Sequence, residues 1–237
     1  MNATEVKDGF PLLSFETSRS SLLLDLRKKW IAEFIGTFFL VFAGTGAVVV
    51  DTTTKTLTHI GVAITFGLVV MALIYAFGHV SGAHFNPAVT LAFYFSRQIT
   101  AIEAFSYVFI QCVGAYAASL TLLFMFGNVG RLGATLPSGP WLQSAILEFI
   151  LSFILMMVIL SSAVHAKASK SFAGIAIGGT VALEAMFGGP VSGASMNPAR
   201  SLGPALASGH LEFLWIYILW TTMGAITAAY VYRILHE

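Results

Sequence analysis

The sequence predicts an all-α membrane protein with six transmembrane helices plus two re-entrant half-helices, arranged as an inverted repeat. Three observations carry that prediction. First, 57% of the 237 residues are hydrophobic and 10% charged, whereas a soluble domain carries about 25% charged residues. Second, six apolar stretches, at about 30–50, 59–79, 103–126, 141–164, 172–188 and 211–234, fall in the range of about 17–25 residues that crosses a bilayer as a helix. Third, Asn-Pro-Ala occurs twice, as Asn86, Pro87 and Ala88 and as Asn197, Pro198 and Ala199, nearly half a chain apart. A duplicated, Gly/Pro-interrupted apolar segment in each half of a membrane protein is the best pointer to a central solute site.

The N-terminus is polar for about thirty residues and contains Arg27, Lys28 and Lys29, with no cleavable signal pattern. Residues 1–29 are therefore expected to form a cytoplasmic tail, flexible over 1–25, ahead of a channel-forming domain at 30–237. The first span opens with Ala32-Glu-Phe-Ile-Gly-Thr-Phe-Phe-Leu40, which matches Leu147-Glu-Phe-Ile-Leu-Ser-Phe-Ile-Leu155 near the start of the fourth. Short apolar pieces starting at Asn86 and Asn197 follow the second and fifth spans. Each runs about ten residues, roughly 15 Å of helix and half a membrane. Asn at the cap and Pro at the first helical position favour a helix start at both places.

One repeat thus covers about 30–128 and the other about 141–235, joined by a Gly- and Pro-containing stretch at 132–140 that reads as an external loop. Three spans and a half-helix per repeat is an odd number of crossings, so the second copy must be inverted and the half-helices must enter from opposite faces. With both termini inside, Lys7, Arg19, Arg27, Lys28, Lys29, Arg97, Lys167, Lys170 and Arg233 fall on the cytoplasmic side, against Lys55 and Arg131 outside. This asymmetry predicts a multi-pass protein of the cell membrane with both termini cytoplasmic. The single cysteine, Cys112, excludes an intrachain disulfide and reads as a small buried hydrophobe. There is no nucleic-acid signature, no nucleophile–base pair that would suggest an enzyme, and no motif calling for a metal or a cofactor.

Irregular backbone at membrane depth is tolerated only where it is buried in protein or lines a wet cavity. The segments Ser81-Gly-Ala-His-Phe-Asn-Pro-Ala and Ser192-Gly-Ala-Ser-Met-Asn-Pro-Ala are expected to be such backbone, with Gly82, Ala83, His84, Gly193 and Ser195 lining a path. Half-helix N-termini meeting near the midplane each present about half a positive charge, and Asn86 and Asn197 can donate hydrogen bonds to a passing oxygen. A water held by both amides points its hydrogens outward, which interrupts proton relay, while the field repels cations. Arg200 sits at membrane depth, where an arginine costs at least about 2.5–3.5 kcal/mol and is expected to face water or the bundle interior. Glu33 and Glu148 occupy matched positions and are expected to support the re-entrant backbone. Glu184 has no match; it could brace the second loop or approach Arg200. His79 and His84 flank the first turn and read as loop braces. Gly36, Gly44, Gly67, Gly114, Gly174, Gly178 and Gly224 suit close helix approach, and Trp30, Trp141, Trp215 and Trp220 suit interfacial anchoring.

These motifs resemble the major intrinsic protein family, the aquaporins and aquaglyceroporins, over about residues 30–235. The stretch Gly189-Pro-Val-Ser-Gly-Ala-Ser-Met-Asn-Pro-Ala-Arg-Ser-Leu-Gly-Pro-Ala205 looks most like bacterial members and the nodulin-like intrinsic proteins of plants. The resemblance implies a homotetramer in the lipid bilayer with one pore per subunit, passing water and small uncharged solutes. It also implies an outer selectivity filter of Phe66, Ala185, Ala194 and Arg200. Strictly water-selective members usually place histidine where Ala185 stands, and the wider apolar mouth left by alanine favours glycerol-like solutes beside water. Against this, glycerol facilitators typically carry Asp where this chain has Ser201 and a basic residue where it has Ala205. Tyr217 and Ile218 match neither type. A strictly water-selective pore and a channel for neutral metalloid acids therefore stay open at this stage. A coupled secondary transporter or a junctional scaffold are alternatives of a different class.

Overall fold

The computed structural model describes residues 12–236, with side chains described from Leu24 onward. Among the described residues it contains eight α-helices and no strand. Helix α1 (Leu12–Thr54) is followed by α2 (Thr58–Ser81), the short α3 (Pro87–Phe95) and α4 (Ala101–Phe126); the second half holds α5 (Trp141–Ile159), α6 (Ala173–Ser192), the short α7 (Pro198–Ser208) and α8 (Leu214–His236). Six helices are long and apolar enough to cross a membrane, and the two short ones start at the expected Asn-Pro steps. Helix α1 begins at Leu12, well ahead of the boundary expected at residue 30. Hydropathy marks where a helix enters lipid, not where helical backbone starts, so the part of the expected tail from Leu12 on is helix. The remainder of that expectation, residues 1–11, lies outside the described residues.

Local chemistry sets the ends. Thr100 and Glu103 form a reciprocal capping box at the start of α4, and Glu103 also accepts from Lys29 Nζ at 3.1 Å, tying α4 to α1. Helices α2 and α6 both stop at a left-handed glycine, Gly82 (φ 89°) and Gly193 (φ 85°), which terminates a helix without a Cβ clash.

The packing follows the repeat. Helix α1 lies along α4, α5 along α8, and α2 meets α6 where the two halves join. Each half-helix packs against the last long helix of the opposite half, α3 on α8 and α7 on α4. Small residues allow this closeness. A Cβ on Gly67 would stand 2.5 Å from the Gly178 carbonyl oxygen, and one on Gly178 would stand 2.6 Å from that of Gly67. Gly114 and Gly224 sit just as tightly over the carbonyls of Phe34 and Phe149. In a bilayer, where apolar burial drives little, such van der Waals contact is what holds helices together.

Candidate functional site

Both re-entrant loops take the same unusual backbone path. Ala83 and Phe85 in the first, and Ala194 and Met196 in the second, have φ between 43° and 55°. Left-handed conformations at non-glycine residues cost about 1–3 kcal/mol each and persist only where the surroundings enforce them. Here the enforcement comes from two buried carboxylates. Glu33 on α1 accepts four hydrogen bonds: from Ser81 Oγ at 2.7 Å, the His84 N–H at 2.9 Å, the Phe85 N–H at 2.7 Å and Gln111 Nε2 at 2.8 Å. Glu148 on α5 accepts three: from Ser192 Oγ at 2.7 Å, the Ser195 N–H at 2.8 Å and the Met196 N–H at 2.9 Å. Both glutamates are fully buried. Each carboxylate thereby satisfies backbone donors that no helix or strand could take.

Tyrosines complete the brace. Tyr107 Oη donates to the Ser81 carbonyl at 2.9 Å, and Tyr217 Oη to the Ser192 carbonyl at 2.8 Å. Tyr217, compared above with Ile218 for its bearing on solute type, has its hydroxyl committed to the loop. The signal was available, since Tyr107 and Tyr217 stand at matched positions of the two repeats.

The loops deliver the asparagines to one point. Asn86 Oδ1 caps α3 by accepting from the Ala88 and Val89 N–H groups, and Asn197 Oδ1 caps α7 by accepting from Ala199 and Arg200. That fixes which end of each amide is oxygen. The nitrogens then reach across: Asn86 Nδ2 donates to the Met196 carbonyl at 2.7 Å, and Asn197 Nδ2 to the Phe85 carbonyl at 2.9 Å. One N–H of each amide is used in this crossed pair and one is left. Both asparagines line a cavity of about 720 Å³. Pro87, Ala88, Pro198 and Ala199 are buried behind them as the first turns of the half-helices.

The cavity reaches from Phe66, Ala185, Ala194 and Arg200 at one end, past the asparagines, to Ile99, Val164 and Lys170 at the other. Gly82, Ala83, His84 and Ser195 line it. Gly193 packs its left-handed turn against Thr135, where a Cβ would stand 3.0 Å from Cγ2. Met186 and Phe187, which follow Ala185 in the sequence, are exposed on the outside of α6.

Arg200 is 4% exposed. Its Nη1 donates to the Gly133 carbonyl at 2.8 Å, and its Cζ lies 4.9 Å from the centroid of the Phe66 ring. The stretch at 132–140 is thus more than an external loop. Gly130, Arg131, Leu132 and Gly133 form a left-handed turn that buries Leu132 and aims the Gly133 carbonyl at Arg200. Thr135 Oγ1 then meets Ser201 Oγ at 2.7 Å, and Ser201 meets Ser195 at 2.6 Å. Ser201 is therefore a loop brace. The first loop has a different network, in which His84 Nδ1 lies 3.1 Å from Thr90 Oγ1 and the His84 ring stacks on Phe93 at 4.6 Å. Glu184 is buried, and neither of its oxygens has a hydrogen-bond partner among the described residues. It braces neither loop.

Six spanning helices and two half-helices that abut at their N-termini beside a largely apolar lumen, with Asn86, Asn197 and Arg200 among its lining, define a membrane channel. The chain belongs to the major intrinsic protein family, whose profile matches residues 20–232 and whose members are aquaporin-type channels rather than enzymes. It is 46% identical to nodulin-26 of Glycine max over 223 residues, covering 93% of this chain and 82% of that one. It is 48% identical to aquaporin NIP1-4 of Oryza sativa subsp. japonica over 208 residues, covering 86% of this chain and 76% of that one. The X-ray structure of the aquaglyceroporin from Plasmodium falciparum shares the fold, with a TM-score of 0.78 at 24% identity over 87% of this chain and 95% of that one.

Proposed function

We propose that this channel passes water and small neutral solutes such as glycerol passively, and refuses protons and ions. The crossed Asn86 and Asn197 pair carries the reading. With one N–H of each amide held by the opposite loop, the remaining two are free to donate to a single solute oxygen in the lumen. A water so held has both acceptor sites occupied and turns its hydrogens up and down the pore. Protons then cannot hop through it. The N-termini of α3 and α7 add their positive ends at the same point, and Arg200 adds a full positive charge at the filter.

Solute choice falls to the constriction of Phe66, Ala185, Ala194 and Arg200. Three of its members are apolar, so a hydroxylated carbon chain can rest on Phe66 and the two alanines while its hydroxyls meet Arg200. Because Ser201 is held by Thr135 and Ser195, its difference from the aspartate of glycerol facilitators is a matter of loop support, which supports reading solute choice from Ala185 and Phe66. The subunit is proposed to work as a homotetramer in the cell membrane, one pore per subunit, with both termini cytoplasmic. Stopped-flow light scattering on proteoliposomes with parallel sucrose, glycerol and urea gradients tests the reading. Fast water and glycerol relaxation is expected. Vesicles that respond like protein-free controls, or uphill solute movement driven by an ion gradient, would replace it with a scaffold or a coupled transporter.

A further inference from the structure

Gly44, on α1, lies behind the ring of Phe66. A Cβ built on Gly44 would stand 2.2 Å from Cε1, 2.5 Å from Cδ1 and 2.6 Å from Cζ of that ring. On its other side the ring faces the Arg200 guanidinium at 4.9 Å. Phe66 is therefore wedged between bare helix backbone and the filter arginine. We propose that Gly44 is a positioning residue for solute selectivity, setting through Phe66 how wide the constriction stands. The proposal rests on the reading of Phe66, Ala185, Ala194 and Arg200 as the filter.

Two comparisons within the molecule separate this role from ordinary helix approach. At Gly67, Gly114, Gly178 and Gly224 the nearest obstruction is a backbone carbonyl of a neighbouring helix, whereas at Gly44, as at Gly36 over Phe85 and Gly174 over Tyr75, the three nearest atoms all belong to one side-chain ring; of these three rings only that of Phe66 belongs to the proposed filter. The inverted repeat supplies the second comparison. Aligned on Glu33 with Glu148 and on Gly67 with Gly178, the slot of Gly44 and Phe66 corresponds to that of Ile159 and Ile177. Both isoleucines line the other end of the cavity. The matching pair of helices, α5 and α6, thus carries two branched side chains at one end. At the filter end, α1 and α2 hold a large ring opposite no side chain at all. The crossing does not demand glycine there; the ring does.

Carbon atoms in contact settle at about 3.5–4.0 Å, so a methyl on Gly44 drives the ring toward the lumen and Arg200 by about an ångström. A shift of that size matters more to glycerol than to water, because the wider solute meets the wall first. The test compares wild type, Gly44→Ala, Phe66→Leu, the double variant and Ala185→His in proteoliposomes, reading glycerol and water permeability on the same vesicles. Gly44→Ala is expected to lower glycerol permeability roughly tenfold while water falls by less than about threefold. The double variant, in which the shorter leucine leaves room for the methyl, is expected to match Phe66→Leu. An unchanged glycerol-to-water ratio in Gly44→Ala, while Ala185→His alters it, overturns the role of Gly44 alone. No change in either variant overturns the filter reading itself. A double variant that fails to fold, or stays as impaired as Gly44→Ala, shows that the helix contact and not the ring requires glycine, and also overturns the proposal.

Discussion

The two re-entrant loops share one backbone path, one buried carboxylate and one tyrosine brace, yet differ in everything around them. The first loop is held by a polar cluster inside its own repeat: Gln111 and Thr90, with Gln111 Nε2 donating both to Glu33 and to Thr90 Oγ1 at 3.0 Å, and His84 against Phe93. The second is held partly from outside its repeat, by the segment joining the halves, through Thr135 on Ser201 and Gly133 on Arg200. Duplication preserved the device that shapes the loop. The residues around it differ between the two loops. The second loop leads into Arg200 at the start of α7, beside the proposed filter, and the Gly133 carbonyl helps hold the guanidinium near Phe66.

The largest effect in a comparison of the loops is expected from the shared device. Glu148→Leu strands one hydroxyl and two backbone N–H donors, at about 1–3 kcal/mol each. Loss of monodisperse protein in detergent size-exclusion chromatography is the expected outcome; a well-behaved variant would mean that the loop does not depend on its carboxylate. Next, Arg200→Ala removes the one formal charge at the filter, and a cation or proton leak measurable with a trapped pH dye is expected. A tight variant would assign the barrier to the asparagines alone. Ala185→His is expected to reduce glycerol flux by roughly tenfold with water nearly spared, since the ring narrows the mouth and adds competing donors. Equal loss of both solutes would remove Ala185 from solute discrimination. Smallest is Gln111→Leu, which reduces the donors on Glu33 to the number that Glu148 already accepts. About 1–2 kcal/mol is expected, a Tm shift of only a few degrees at this chain length. A collapse comparable to Glu148→Leu would show that the first loop depends on its neighbours in a way the second does not.

What the sequence made legible was what it stated twice. The spans, the half-helices, Asn86 with Asn197 and Glu33 with Glu148 each come as pairs. A repeated polar residue in an apolar stretch has no cheap structural excuse. Gln111, Thr90 and Thr135 occur once and look like ordinary helix or loop residues. The partner of Arg200 is a backbone carbonyl, which has no side-chain signature at all. Tyr107 and Tyr217 are also paired, but the pattern shows only that Tyr217 stands beside Ile218 and not that both hydroxyls reach a loop carbonyl. The early start of α1 was invisible for a different reason: polar helix and polar coil have the same hydropathy. Gly44 was read as a helix contact since nothing in a one-dimensional pattern says whether a glycine faces a backbone or a ring.

The central claim is the conjunction of open passage for neutral solutes with refusal of protons in one lumen. It is tested most directly by reconstituting the protein in vesicles loaded with a pH-sensitive dye and imposing a glycerol gradient and a potassium diffusion potential together. Accelerated shrinkage and glycerol re-swelling with dye traces matching protein-free vesicles is the predicted result. Proton entry that rises with protein content, or glycerol re-swelling no faster than in protein-free vesicles, would contradict it.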